Sequence, residues 1–492
     1  MSHAREDAWD VVVAGGGVAG VSVAAALQEF GHRVLVIEPG LDSAKRLAGE
    51  LIHPPGASDL AELGLLAPLE KAGVAPVLGF AVSPEAAAAP YLLPYGEIPG
   101  VQRPGFAVDH AVLSATLLEV AARLPHVTLW QDARVIALDL AAPAAATVTV
   151  TRPAGAVSVR ARLVVAADGG TSTVRRLASI SHTRVHLSNM VGVQVTGEVP
   201  SSGFGNVFLG GPSPVLAYAN GPGAARVMFD VPGNPHGVEA VRRDPAYLGA
   251  LPAEFRERVR AALHTQPALV GANYSIVPAA VTAGRLALVG DAAGACHPLT
   301  ATGLSVCTRD ALRLRQALRA ARGDVPRALA AYARARGGPQ RTRVALAEAL
   351  YRAFAGQSDE MRLLRDGVLR FWKRSRRGRA ASMALLSTHE GRMSVMAVQY
   401  ARVVAYALAG LVYLWREDWP RSPFARLRVV FRLSLTTMDL RPGLALAARQ
   451  RVDRMGPREM CAPLSHLAST WRRAPRFPLI CVGGCRPASR TR

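Results

Sequence analysis

Apolar residues near the start of the chain fall into runs of different length and rhythm. Asp10–Ala14 ends a short apolar run in glycines, small apolar residues fill Val18–Leu27, Gly31 closes that stretch, and Arg33–Ile37 forms a second buried run ending at Glu38. This order predicts strand, tight turn, helix and strand, the βαβ opening of a doubly wound domain. Further along, the pattern predicts a helix over Leu113–Arg123 and strands over Val127–Leu138, Thr147–Thr151, Val157–Ala167 and Leu286–Gly290, then a helix over Leu304–Ala321. Residues 181–280 are rich in Gly, Pro and β-branched types, which reads as a mixed sheet over a substrate pocket. From about residue 340 the pattern is helical and Arg-rich, and after about 466 periodicity is lost, as expected of a disordered tail.

Three joins between strand and helix carry candidate chemistry. The first, Gly15-Gly16-Gly17-Val18-Ala19-Gly20, is a G-x-G-x-x-G. Gly15 allows the tight turn, Gly17 lets backbone approach a pyrophosphate, and Gly20 lets helix and strand pack closely. The anion then faces the free N–H groups of a helix N-terminus. Glu38, ending the second strand, is placed to accept hydrogen bonds from ribose hydroxyls. The second join runs Leu163–Arg175 and delivers Asp168 and Gly169 into a turn before a short basic helix, where Asp168 or Thr171 could equally be an N-cap. The third is Leu286–Gly303, with Gly290 and Asp291 at the strand end. Alone the glycine turn says only that a dinucleotide binds.

Charge changes the picture of the C-terminal third. Of a net +22, residues 1–333 carry 27 Lys+Arg against 26 Asp+Glu, and residues 334–492 carry 31 against 10. A neutral body with a basic end fits an anionic surface. No groove-reading motif accompanies the charge, so no nucleic-acid partner is expected. Ser394–Trp415 is apolar apart from Gln399 and Arg402, and Val403–Trp415 is shorter than the about 20 residues a span needs. Arginines flank it from Arg374 to Arg379 and from Arg416 to Arg428, with Tyr400, Tyr406, Tyr413, Trp415 and Trp419 as an aromatic rim. This predicts attachment to a membrane surface on the cytoplasmic face, with a buried helix packed on the nucleotide-binding domain as the competing reading. The chain opens polar, without a signal-peptide pattern. Its five cysteines suggest no disulfide framework, and no metal site is expected.

The glycine, Asp-Gly and Gly-Asp motifs, in this order, resemble the flavoprotein hydroxylase superfamily with the para-hydroxybenzoate hydroxylase fold. Gly49–Gly56 (GELIHPPG) is similar to the G-E-L-L-Q-P-G-G of its squalene monooxygenase (squalene epoxidase) branch. Pro212–Leu216 resembles that branch's P-S-P-V-L and His297–Thr300 its H-P-L-T; Leu346–Tyr351 and Ala384–Ser387 resemble pieces of its helical part. The resemblance runs from about residue 10 to about 415. It implies FAD as cofactor, held by Gly15, Gly17, Val18, Ala19, Gly20, Glu38, Arg46, Val135, Asp168, Gly169, Gly290, Asp291, Pro298, Gly303 and Leu304, with Glu50 and His53 near the flavin ring. It also implies an α/β fold: a Rossmann-like FAD-binding domain over 8–335, an inserted mixed β-sheet substrate domain (about 70–105 and 181–280), a helical, basic, membrane-associating region over 336–465 and a tail over 466–492. The sequence departs from the branch at His53 (glutamine there), Phe80 (tyrosine), His110 (arginine) and Ala301-Thr302 (glycines), so the glutamine–tyrosine hydrogen bond is not expected in its usual form.

The implied reaction is insertion of one oxygen atom from O2 into an apolar polyprenoid, foremost squalene. Such chemistry needs a positioned cofactor and a dry pocket more than acid–base side chains, and neither a Ser/His/Asp triad nor paired carboxylates stand out. No second nucleotide turn is evident, so electrons are expected from NAD(P)H docking transiently or from a separate reductase. Hydroxylation of another lipid or a quinone, reduction of isoprenoid double bonds, and a non-enzymatic prenyl-lipid carrier remain as alternatives.

Overall fold

A computed structural model describes residues 8–40, 47–233 and 237–414. Contacts divide the chain into one unit ending at Trp419 and another beginning at Pro420, and all described residues lie in the first.

The nucleotide-binding half is built on an eight-stranded sheet. Its centre is parallel, in the order Leu286–Leu288, Gly155–Ala166, Ala8–Ala14, Val34–Ile37 and Val127–Trp130. Parallel strands buried on both faces need continuous apolar runs, which the Val11–Val13 and Val34–Ile37 segments supply. The helices Val18–Gln28 and Gly303–Ala320 cover one face around Leu27, Leu314 and Leu318. The other face buries Leu35, Val148 and Val164. The stretch expected as one strand over Val127–Leu138 is two, Val127–Trp130 and Arg134–Asp139, because Asp132 takes a left-handed conformation (φ 51°) between them. The first half pairs with Val34–Ile37, whereas the second joins Ala146–Arg152 in an antiparallel extension.

The two expected substrate-binding portions share one seven-stranded sheet. Its order is Leu269–Pro278, His182–Thr196, Ala224–Val231, Val215–Gly221, Gly205–Phe208, Gly79–Ser83 and Tyr91–Pro94. Alternation divides its faces. Phe208, Val215 and Phe229 pack beneath the Ala253–Thr265 helix, while Phe80, Val82, Leu93 and Val207 point the other way. Most apolar residues of 203–230 are therefore core.

The helices Val325–Ala355, Asp359–Arg374, Arg376–Leu386 and Met393–Leu414 complete the described chain. The first runs straight through Gly337-Gly338-Pro339, so the expected division at 335/336 falls inside a helix. Proline removes one helical N–H and crowds the preceding turn. Side chains on both sides of it, Arg336 and Arg343, are tied to carbonyls of the Gly290–Gly294 loop, and that anchoring holds the helix in register. Arg46, the aromatic residues Trp415 and Trp419, the arginines from Arg416 to Arg428 and the tail over 466–492 lie outside the described residues.

Candidate active site

The three joins converge. A Cβ on Gly15 (φ 106°) would stand 2.5 Å from the Ala167 carbonyl oxygen and 3.1 Å from the Asp168 nitrogen. One on Gly20 would stand 1.8 Å from the Gly15 oxygen, and one on Gly290 2.9 Å from Cys307 Sγ and 3.1 Å from Ala19 Cβ. These glycines let the first turn touch the second and the first helix touch the third join. Gly17 is different: it is exposed, and no described residue lies within 4 Å of where its Cβ would be. The helix it opens has no side-chain cap, so its first N–H groups face out past Gly17. Gly169 (φ 78°) and Gly303 are likewise unobstructed, and the Gly303–Ala320 helix also starts without a side-chain cap.

The three acids stand at these joins. Glu38 accepts from Gly16 N–H (2.6 Å) and Gly40 N–H (3.2 Å), bracing the turn from the end of the second strand. Asp168 accepts Val174 N–H through Oδ2 (3.0 Å), while Ser172 is the N-cap. Its Oδ1 is buried with no partner among the described residues. A buried carboxylate oxygen left so costs about 1–3 kcal/mol or more unless a ligand or water satisfies it. Asp291 is open to solvent yet closely surrounded by protein; this burial pushes its carboxyl above the usual range, against the pull of Arg343 and Arg336. Pro298 is exposed, and Leu304 lies 3.1 Å from the Cβ position of Gly49. Val135 is partly buried at the edge of the second core. These features fit a dinucleotide cofactor: an uncapped helix end behind Gly17, a partnerless Asp168 oxygen and the open Asp291.

Sequence reasoning missed the clamp on the third join. Arg336 donates to the carbonyls of Ala293 (2.9 Å) and Gly290 (3.4 Å), Arg175 to Ala292 (2.9 Å) and Arg343 to Gly294 (2.8 Å). Asp310, fully buried, pairs with Arg336 (2.8 Å) and accepts Gly290 N–H (3.1 Å). Arginines in amphipathic helices look like surface charge until the fold turns them inward.

Glu50 and His53 are both buried. The Glu50 carboxylate is occupied by Arg226 (2.9 Å), Tyr218 Oη (3.1 Å) and Asn220 (3.2 Å), which makes it a link between the Gly49–Gly56 segment and the seven-stranded sheet. His53 Nε2 faces the Thr300 carbonyl (2.9 Å), which can only accept, so the proton is on Nε2. Nδ1 then accepts from Tyr95 Oη (2.6 Å). Tyr95 comes directly after the strand opposite Phe80 and supplies the hydroxyl missing there. Through Thr300, His53 pins the turn in which Ala301 takes a left-handed conformation (φ 49°).

Burial lowers the His53 pKa to about 4, with the Thr300 bond opposing. The unfolded chain takes up this proton near the ordinary value of about 6.5 and the folded chain only near 4, so stability is full above 6.5 and falls as pH drops towards 4. His53→Gln is expected to remove a slope of up to about 1.4 kcal/mol per pH unit from this window. Urea titrations of both proteins between pH 7 and 4 measure it. Asp59, raised to about 6 by burial against Arg309, works the other way in both proteins and cancels in the difference. Parallel acid limbs would refute the assignment.

Beside this turn lies a cavity of about 940 Å³, its open mouth included. Phe80, Val82, Leu93 and Val207 of the seven-stranded sheet form its floor, and Leu299 joins it from the His297–Thr300 turn. The remaining wall is helical, including Leu346, Leu350, Phe354, Trp372, Met396 and Val403. The C-terminal helices thus roof the pocket, which the sequence pattern alone places under the sheet. Met393–Leu414 turns Met396, Gln399, Tyr400 and Val403 inward and leaves Val398 and Leu408 exposed.

Among solved structures, p-nitrophenol 4-monooxygenase from Pseudomonas putida aligns over 82% of this chain and 98% of its own, at TM-score 0.63 and 22% identity. A flavoprotein/dehydrogenase from Cytophaga hutchinsonii aligns over 83% and 100%, at TM-score 0.67 and 13% identity. These likenesses establish the fold. Fold and relatives together define an FAD-dependent monooxygenase. The squalene epoxidase family profile matches residues 160–420, more than half of the chain. A squalene epoxidase of Aspergillus fumigatus is 30% identical over 74% of this chain and 79% of its own length, and squalene epoxidase 2 of Arabidopsis thaliana 29% identical over 82% and 71%. The chain belongs to the squalene epoxidase family.

Proposed function

We propose that this protein epoxidises squalene or a closely similar polyprenoid, and that the joins described above hold its FAD. The observation that carries the reading is the apolar cavity walled by Leu299, which comes after His297-Pro298 in the turn before the Gly303 helix. Gly17 and the first turn of the Val18–Gln28 helix would hold the pyrophosphate, Glu38 the adenosine ribose and Asp291 the ribityl chain. The N-terminus of the Gly303–Ala320 helix would face the ring, where its dipole favours negative charge. FAD, once reduced, supplies the oxygen-activating chemistry. The protein's own part is to orient cofactor and alkene and to keep water out. Burying an apolar chain at about 25 cal/mol per Å² favours a long hydrocarbon in such a lining. The balanced reaction consumes alkene, O2, NAD(P)H and a proton, and yields epoxide, water and NAD(P)+. NAD(P)H delivers electrons directly or through a separate reductase.

A membrane surface would supply the substrate. Val398 and Leu408 lie on the outward side of the Met393–Leu414 helix, which is long and apolar enough to meet a bilayer, and the arginine-rich segments favour anionic lipid on the cytoplasmic face. Release by detergent rather than by salt is expected; recovery in the soluble fraction without detergent would refute it. For the reaction, FAD-loaded protein incubated with squalene, O2, NADPH and a reductase should yield a product heavier by one oxygen. Addition of two hydrogens, or no product, would sink the proposal.

A further inference from the structure

His297 is where three parts of the chain are fastened together. Its Nδ1 accepts Leu299 N–H (3.2 Å), so its proton is on Nε2, which lies 3.1 Å from Asp230 Oδ1 and 3.0 Å from Ser188 Oγ. The other oxygen of Asp230 accepts from Tyr351 Oη (3.0 Å), and the Tyr351 ring stacks on His297 with centroids 3.9 Å apart and 21° between planes. Asp230 and Ser188 belong to adjacent strands of the substrate sheet, and Tyr351 to the Val325–Ala355 helix. Serine, histidine and aspartate together suggest a nucleophilic triad, but the geometry excludes one. Serine and aspartate share a single ring nitrogen, the other nitrogen accepts the Leu299 N–H in place of a carboxylate partner, and Ser188 is fully buried.

What the arrangement does is fix a turn. Leu299 donates to the His297 ring and lines the cavity, Ala301 N–H donates to the Pro298 carbonyl (2.8 Å), and Thr300 holds His53. Leu350 and Phe354, beside Tyr351, line the same cavity. We propose that Tyr351 and Asp230 are positioning residues for oxygen insertion, acting through His297 to hold the His297–Ala301 turn between substrate and cofactor. This rests on the monooxygenase reading above.

The test uses full-length Tyr351→Phe, which keeps the stack and removes one hydroxyl, and Asp230→Asn, beside wild type. Two quantities are read: amide hydrogen exchange at Leu299 and Ala301, and epoxide formed per O2 consumed, with kcat and KM for squalene. Expected are exchange at both amides faster by about tenfold and kcat and product per O2 lowered by about tenfold, with KM changed less than twofold, since misplacement of reacting groups acts on the chemical step. Should Asp230→Asn fail to fold, Tyr351→Phe alone decides. Faster exchange with unaltered turnover would mean the network only stabilises the turn, and altered turnover with unaltered exchange would mean a direct role; either overturns the proposal. Absence of epoxide from wild type overturns the monooxygenase reading itself.

Discussion

Replacing Gly17 by valine is expected to leave a folded chain that no longer retains flavin. The backbone there (φ −71°, ψ −174°) is one any residue adopts, and no described residue lies within 4 Å of the Cβ position. The fold itself does not need glycine at 17. Gly20 is the contrast, since its Cβ would stand 1.8 Å from a backbone oxygen. Gly17→Val puts a branched side chain in front of the uncapped N–H groups that would meet a pyrophosphate. Affinity for FAD should fall at least about 100-fold, while the flavin-free protein melts within a few degrees of wild type. Quenching of flavin fluorescence on titration and a melting curve give both numbers. Gly20→Val should fail to fold. Normal flavin retention in Gly17→Val would show that the cofactor binds elsewhere.

The contrast between these glycines marks how far the sequence alone specifies the site. Strand-turn-helix rhythm is local, so the βαβ opening, the Asp168 and Asp291 joins and the later helices were legible from apolar periodicity and glycine placement. Features that depend on which distant segment comes to face a residue were not. Tyr95 supplies a hydroxyl because the strand before it pairs beside Phe80, a matter of register. Asp230 and Tyr351 meet His297 from 67 and 54 positions away only because the substrate sheet and a helix close on one turn. The region from residue 336 reads in sequence as helical, basic and membrane-associating, and which of its apolar faces roof the cavity is visible only in the fold. Composition reports the charge of a segment, but only the fold decides which of its arginines face solvent.

Arg336 is an arginine that faces the interior instead. It is 2% exposed, paired with a fully buried Asp310, and bonded to two carbonyls of the loop that bears Asp291. Arg336→Met is expected to destabilise the protein by about 3–5 kcal/mol, because it leaves a carboxylate buried without its main counter-charge. Arg313 lies 3.4 Å from the same carboxylate and offsets part of the loss. Removing the aspartate as well, in Asp310→Leu/Arg336→Met, should cost less than the two single changes together, since no fully buried carboxylate is then left without Arg336; Arg313 and the Gly290 N–H lose their acceptor. Arg260→Met, which breaks the exposed pair with Glu257, should change stability by less than about 1 kcal/mol. Urea denaturation of these variants, of Asp310→Leu alone and of wild type yields the coupling energy. Flavin release should track unfolding in Arg336→Met, because the clamp joins the Val325–Ala355 helix to the proposed cofactor loop. A variant that loses flavin while keeping its urea midpoint would place Arg336 in cofactor binding itself and remove it from the framework.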